Sequence, residues 1–157
     1  MTPTRIVAAI DGSPVAERAL AFAIDEAEAR RLPLCVVVAR PTLSARWSGD
    51  TRLAEPLEIE RAEDMQALAD EVLARVEADR GRPNAAPTSI ELLNGPPAEI
   101  IEEFLRPTDL LVIGSRGIGG VRRLLLGSVS SALVQAAPCP VVVVRPAPVQ
   151  PQSDPRR

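Results

Sequence analysis

The sequence predicts an α/β protein: a single doubly wound domain, with a five-stranded parallel sheet and helices on both faces. Two observations carry this. Five short apolar runs, at 5–10, 34–39, 88–93, 110–113 and 141–144, alternate with segments of helical length and spacing. That β-α-β-α order implies parallel strands joined by right-handed crossovers. Most of the runs are also continuously apolar rather than alternating, as expected of strands covered on both faces. The 157 residues are the length of one domain, and no internal repeat breaks them. Aromatic content is only 2%, so Val, Ile, Leu and Ala must build the core.

The first strand, 5–10, ends at Asp11-Gly12-Ser13-Pro14. Ser13 is placed to cap a helix whose first residue is Pro14, where a missing N–H costs nothing. That helix is expected to run to about residue 31, with Val15, Ala19, Phe22, Ala23 and Ala27 on its apolar face. Pro33 separates it from the second strand, 34–39. Residues 40–56 read as a long irregular loop holding the only tryptophan, Trp47, and a loop of that length is usually functional. A second helix is expected from about 57 to 78, with Ile59, Met65, Leu68, Val72, Leu73 and Val76 at near-helical spacing and acidic residues at its start.

A Pro/Gly linker, 81–87, leads to the third strand, 88–93, whose mixed pattern suggests a place near the sheet edge. Asn94-Gly95-Pro96-Pro97 is a turn that delivers a helix over 98–105. Pro107 ends it, and Thr108-Asp109 leads into the fourth strand, 110–113. A last helix is expected over 127–136, stopped by Pro138-Cys139-Pro140, before the fifth strand, 141–144. The domain is expected to occupy 1–146, followed by a disordered Pro-rich tail at 147–157.

Composition removes whole classes of chemistry. The chain has no histidine, lysine or tyrosine, so all 18 basic residues are arginine. There is no Ser-His-Asp or Cys-His pair, no Schiff-base lysine and no catalytic tyrosine. Two cysteines, Cys35 and Cys139, both in apolar runs, read as buried thiols, and without histidine a zinc site is not expected. A net charge of −3 argues against a nucleic-acid partner. No apolar run is long enough to span a bilayer, and the N-terminus lacks a signal-peptide layout, so a cytoplasmic location is expected.

The chemistry concentrates at 112–128. An apolar strand runs into glycines at 114, 117, 119 and 120, and Gly127-Ser128-Val129-Ser130 then opens a small-residue helix. Glycines let backbone N–H groups approach a ligand, and a helix N-terminus adds unpaired donors and a positive dipole end. The stretch therefore reads as an anion cradle, most plausibly for phosphates. A P-loop needs a lysine that the chain lacks. Gly114-Ser115-Arg116-Gly117-Ile118-Gly119 looks locally like the glycine turn of a short-chain dehydrogenase. It follows the fourth strand rather than the first, however, with about forty residues left after it. The tyrosine and lysine of such enzymes are missing as well.

The longer pattern Gly114-x2-Gly117-x9-Gly127-Ser128 resembles the ATP-binding signature of the universal stress protein family. Four flanking blocks resemble that family too: Ile6 to Ser13, Gly95 to Ile101, Leu126 to Ser130, and Ala137 to Val141. The resemblance covers about residues 4 to 146. It implies a strand order of 3-2-1-4-5, with the first strand beside the fourth at a topological switch point. It also implies a pocket for ATP built by Asp11 and the glycine stretch together.

By position, the resemblance gives Asp11 a place near ribose and phosphates, with a Mg²⁺ contact as an option. The plainer reading of Asp11 is a turn cap. Ala9 and Ile10 would line the floor, and Val38 would meet adenine through its backbone. Gly114, Ser115, Arg116, Gly117, Gly127, Ser128, Val129 and Ser130 would surround the phosphates, though capping alone could explain the serines. Arg122, Arg123 and Trp47 are weaker candidates. The family pairs through its last strand, so a homodimer through Val141–Val144 is expected, with an adenine nucleotide as small-molecule partner. The function implied is that of an ATP-dependent stress sensor or regulator. The alternatives are a slow ATPase or self-phosphorylating protein, and an interaction module that binds no nucleotide.

Overall fold

The computed structural model of the chain describes residues 2–41, 54–117 and 126–147, with 54–61 described through the backbone alone. Five strands, β1 (Arg5–Ile10), β2 (Leu34–Arg40), β3 (Thr88–Asn94), β4 (Asp109–Gly114) and β5 (Val141–Val144), alternate with four helices, α1 (Pro14–Arg30), α2 (Ala54–Arg80), α3 (Pro97–Phe104) and α4 (Ser128–Ala136). The strands form one parallel sheet of order β3-β2-β1-β4-β5. This is the doubly wound α/β architecture read from the alternation. β3 and β5 are its edges, and the mixed pattern of β3 is that of a partly exposed edge strand.

The side-chain alternation of the strands divides the core in two. Ile6, Ala8, Ile10, Leu34, Val36, Val38, Leu110 and Val112 face α1 and α2. Val7, Cys35, Val37, Leu111 and Ile113 face the other way, packed with Ile101 and Leu105 from α3 and its end, and with Leu133 of α4. Both cysteines are buried and unpaired, as the sequence suggested.

Ser13 caps α1 as expected: its side chain accepts the N–H of Ala16 at 3.2 Å, with Pro14 in the first turn. Just before it, Gly12 sits at φ +82, and a Cβ there would stand 2.9 Å from Leu68 Cδ1 of α2. The left-handed backbone therefore requires glycine at that turn, while the Leu68 methyl, the far end of a flexible side chain, could give way.

Four local expectations need correction. Phe22 is not on the buried face of α1; it is 39% exposed, and Ala16, Ala19, Leu20, Ala23, Ile24 and Ala27 make that face instead. α2 begins at Ala54, not 57, so Pro56 lies in its first turn, where an N–H has no intrahelical acceptor. α3 is shifted one residue toward the N-terminus, starting on Pro97. Asp109 is the first residue of β4 rather than a lead-in to it.

Asp109 is 1% exposed and fully bonded. Its carboxylate accepts Arg5 Nε at 3.0 Å, Arg5 Nη2 at 2.6 Å and the Arg106 N–H at 2.9 Å. The Arg5 guanidinium also lies over the Phe104 ring, 4.9 Å from its centroid. On the other face, Glu28 of α1 joins Arg80 at 2.9 Å, Arg82 at 2.6 Å and the Ala85 N–H at 3.0 Å, tying α1 to the α2–β3 connection.

Candidate functional site

A cavity of about 220 Å³ opens beyond the carboxyl ends of β1 and β4. This is the switch point, where the connection from β1 leaves toward β2 and that from β4 leaves toward β5. Of the residues singled out from the sequence, Ala9, Ile10, Asp11, Gly114, Arg116, Gly117, Gly127, Ser128, Val129 and Ser130 all line it. Residues about a hundred positions apart thus meet in one crevice.

The polar end is built on close approach. A side chain on Gly117 would run into the Asp11 carboxylate at Oδ2. A Cβ on Gly114 would stand 3.0 Å from Val15 Cγ1 and 3.3 Å from the Ala16 nitrogen. Asp11 is itself held, since its Oδ1 accepts the Ser13 N–H at 3.0 Å. The turn-cap role is therefore real, and Oδ2 remains directed at the glycine stretch.

Three helices, α1, α3 and α4, begin at this crevice, and α1 alone of the three is capped by a side chain. The first turn of α1 is capped by Ser13. α4 is preceded by Gly127, which has no side chain to cap it. The first intrahelical bond of α4 runs from Ser131 N to Gly127 O at 2.9 Å. The N–H groups of Ser128, Val129 and Ser130 thus start the helix without a capping side chain, as an anion site requires.

Two sequence candidates do not put a side chain into the cavity. Val38 is 1% exposed and its side chain belongs to the α1–α2 core, which leaves its backbone, the part the resemblance assigns to adenine, as what it could offer; the neighbouring Ala39, pointing to the opposite face, lines the cavity. Ser115 is 1% exposed and does not line it. Its backbone closes the neck of the glycine stretch: Gly127 N donates to Ser115 O at 2.8 Å, and Ser115 N donates to Val144 O at 2.7 Å. Trp47, Arg122 and Arg123 lie outside the described residues.

Sequence reasoning missed the apolar end of the cavity. Ala39, Pro97, Ile101 and Ile113 line it, with Ala16 nearer the α1 turn. Pro97 and Ile101 stand in the Gly95 to Ile101 block that carried the resemblance, so position could have found them. Ile113 follows from strand parity with Leu111.

Fold and crevice together define a doubly wound α/β domain with a candidate site at the sheet's switch point, apolar at one end and lined by glycines at the other. The chain belongs to the universal stress protein family, whose sequence profile matches residues 3–145. It is 39% identical over 142 residues to the universal stress protein in the QAH/OAS sulfhydrylase 3′ region of Thermus aquaticus, covering 89% of this chain and 97% of that one. It is 34% identical over 140 residues to a universal stress protein of Mycobacterium tuberculosis, covering 89% of this chain but only 45% of that longer one.

Solved structures show the same fold. Universal stress protein UspA from Lactobacillus plantarum matches with a TM-score of 0.72 at 24% identity, over 92% of this chain and 99% of that one. A universal stress protein in complex with cAMP matches at 0.66 and 25% identity, over 92% and 98%. One from Archaeoglobus fulgidus in complex with dAMP matches at 0.56 and 25% identity, over 92% and 98%. Among the described residues, no helix is long and apolar enough to cross a membrane.

Proposed function

We propose that the crevice binds an adenine nucleotide, with ATP as its ligand, and that the chain serves as a cytoplasmic, nucleotide-dependent sensor or regulator in stress responses. One observation carries the reading. The uncapped start of α4 faces the same cavity as Gly114, Gly117 and the Asp11 carboxylate. The apolar end, with Ala9, Ala39, Pro97, Ile101 and Ile113, suits a base, and the glycine end suits phosphates. The two family members crystallised with cAMP and dAMP support an adenine nucleotide as the ligand class.

Asp11 is the single carboxylate among the described residues that line the cavity. Beside phosphates it would accept a ribose hydroxyl or share Mg²⁺, which commonly takes one or two carboxylates plus phosphate oxygens. Among the described residues no cluster of three or more candidate ligands would hold a metal alone, so Mg²⁺ would enter with the nucleotide. Bound Mg²⁺ would supply charge neutralisation. The chain's own residues supply helix N–H donors, glycine clearance and an apolar base slot. With no histidine or lysine in the chain, any hydrolysis or self-phosphorylation is expected to be slow.

Calorimetric titration of the purified chain with ATP and Mg²⁺ tests the reading, with AMP and cyclic AMP as competitors. Saturable ATP binding that is lost in Gly117→Val supports it. No binding by wild type, or equal binding by Gly117→Val, overturns it; tighter binding of AMP or cyclic AMP would reassign the ligand.

The apolar β5 edge is open in the single chain, and an open edge invites pairing. Two-fold pairing through Val141–Val144 would cover both edges with one patch. Sedimentation at micromolar concentration should show a dimer; a monomer at all concentrations would remove this part.

A further inference from the structure

Ser130 was grouped from the sequence with the residues that would offer hydroxyls to phosphates. The structure gives its hydroxyl another task. Ser130 is 6% exposed, and its Oγ donates to the Gly114 carbonyl at 2.7 Å. A serine hydroxyl carries one proton, so this bond uses its only donor. Its remaining lone pairs would face a phosphate unfavourably.

The Gly114 carbonyl needs this partner for a topological reason. Ser115 N bonds Val144 on the β5 side, so the carbonyl one residue earlier points the other way, toward β1. The β1–β4 ladder ends at Ala9↔Ile113, because the chain turns away at Asp11. The switch point that opens the crevice thus leaves one buried strand carbonyl without a ladder partner, and an unpaired buried carbonyl is costly. The first turn of α4 fills it.

We propose that Ser130 is a positioning residue for the candidate phosphate end rather than a ligand in it. By bolting the first turn of α4 to the end of β4, it fixes where the N–H groups of Ser128 and Val129 stand relative to Gly114 and Gly117. Ser128 is exposed and makes no side-chain hydrogen bond among the described residues; it is the serine left to contact an anion directly. This inference rests on the nucleotide reading above.

The test compares wild type, Ser130→Ala and Ser130→Thr by calorimetry with two ligands, ATP–Mg²⁺ and adenosine. Ser130→Ala should raise the Kd for ATP about tenfold, by leaving the carbonyl unpaired and the helix start loose. Its affinity for adenosine, which lacks phosphates, should stay unchanged, and Ser130→Thr, which keeps the hydroxyl, should restore ATP binding. If Ser130→Ala does not fold, Ser130→Cys, which keeps the shape with a weaker donor, is read in its place. The proposal fails if the variant binds ATP like wild type. It also fails if ATP and adenosine weaken equally, which would mark a merely structural role, or if threonine gives no rescue. Wild type that binds no nucleotide would sink the functional reading itself and this inference with it, an outcome distinct from the others.

Discussion

The Asp11 carboxylate stands in the space that a side chain on Gly117 would need. Gly117 is not among the glycines with left-handed backbone, which are Gly12, Gly81 and Gly95 among the described residues. Its requirement is therefore one of volume, set by a residue from the other end of the sequence. Gly117→Ala should destabilise the chain by about 1 kcal/mol, because the Asp11 carboxylate must turn aside and give up its bond to the Ser13 N–H. In an Asp11→Ala background the same change should cost less than about 0.5 kcal/mol, because the obstructing carboxylate is gone. Urea unfolding of the four proteins measures the coupling, and additive losses would refute the contact.

Asp109 makes a second long-range prediction. It is nearly fully buried and accepts three hydrogen bonds, two of them from Arg5. The pairing raises the Arg5 pKa above its ordinary value, mainly through the hydrogen bond to Asp109. Asp109→Ala should cost about 3 kcal/mol, because it leaves the half-buried guanidinium without its counter-charge. Replacing both residues, as Arg5→Met with Asp109→Leu, should recover most of that loss. Thermal unfolding reads both, and a double variant as weak as the single one would contradict the account.

Acid sensitivity should trace in part to Glu28. Its carboxyl is held down to about 2 from an ordinary 4.5, first by the Arg82 hydrogen bond, then by the Ala85 N–H and Arg80. A carboxylate with a lowered folded pKa stabilises fully above its unfolded pKa and loses that contribution as pH falls through the folded one. The loss should therefore develop from about pH 4.5 down to about pH 2. Glu28→Gln should flatten that part of the profile of melting temperature against pH, and an unchanged slope would remove Glu28 as the cause.

Cys35 and Cys139 should be silent in the native protein. Burial pushes both thiols up, which suppresses the thiolate that reacts. A disulfide reagent at neutral pH should label neither until denaturant is added, and should then label both. Fast labelling of the folded chain would show that the core opens at these positions.

Much of the fold was legible because it rests on periodicity. Continuous apolar runs marked both-face burial, and their alternation with helical segments marked a parallel sheet. The strand order needed the family resemblance, since local spacing carries no order. What was misread turned on long-range pairing or on packing direction. Asp109 looks like a loop residue beside Pro107 and Thr108; only Arg5, its register partner across the sheet, makes it a strand residue. Phe22 tilted the expected stripe of α1, whereas the true stripe is rich in alanine, which lets the helix lie close to the sheet. Pro56 reads as the end of the 40–56 loop but lies in a helix's first turn, which tolerates it. In the crevice, most of the polar end was legible from glycine spacing. The side chain of Ala39 was not, because it stands one step along the strand from Val38 and one step reverses the face.

β1 lies between β2 and β4, and its partner on one side begins only at Asp109. A chain emerging from the ribosome therefore carries the central strand of its sheet with one edge bare until Asp109 and the rest of β4 have been made. An unpaired apolar edge of that kind is a target for chaperones and for aggregation. The crevice is completed by the same late event, since its Gly114 to Gly117 wall follows β4 in the chain. Chains cut short of Gly117 should thus lack the candidate site altogether.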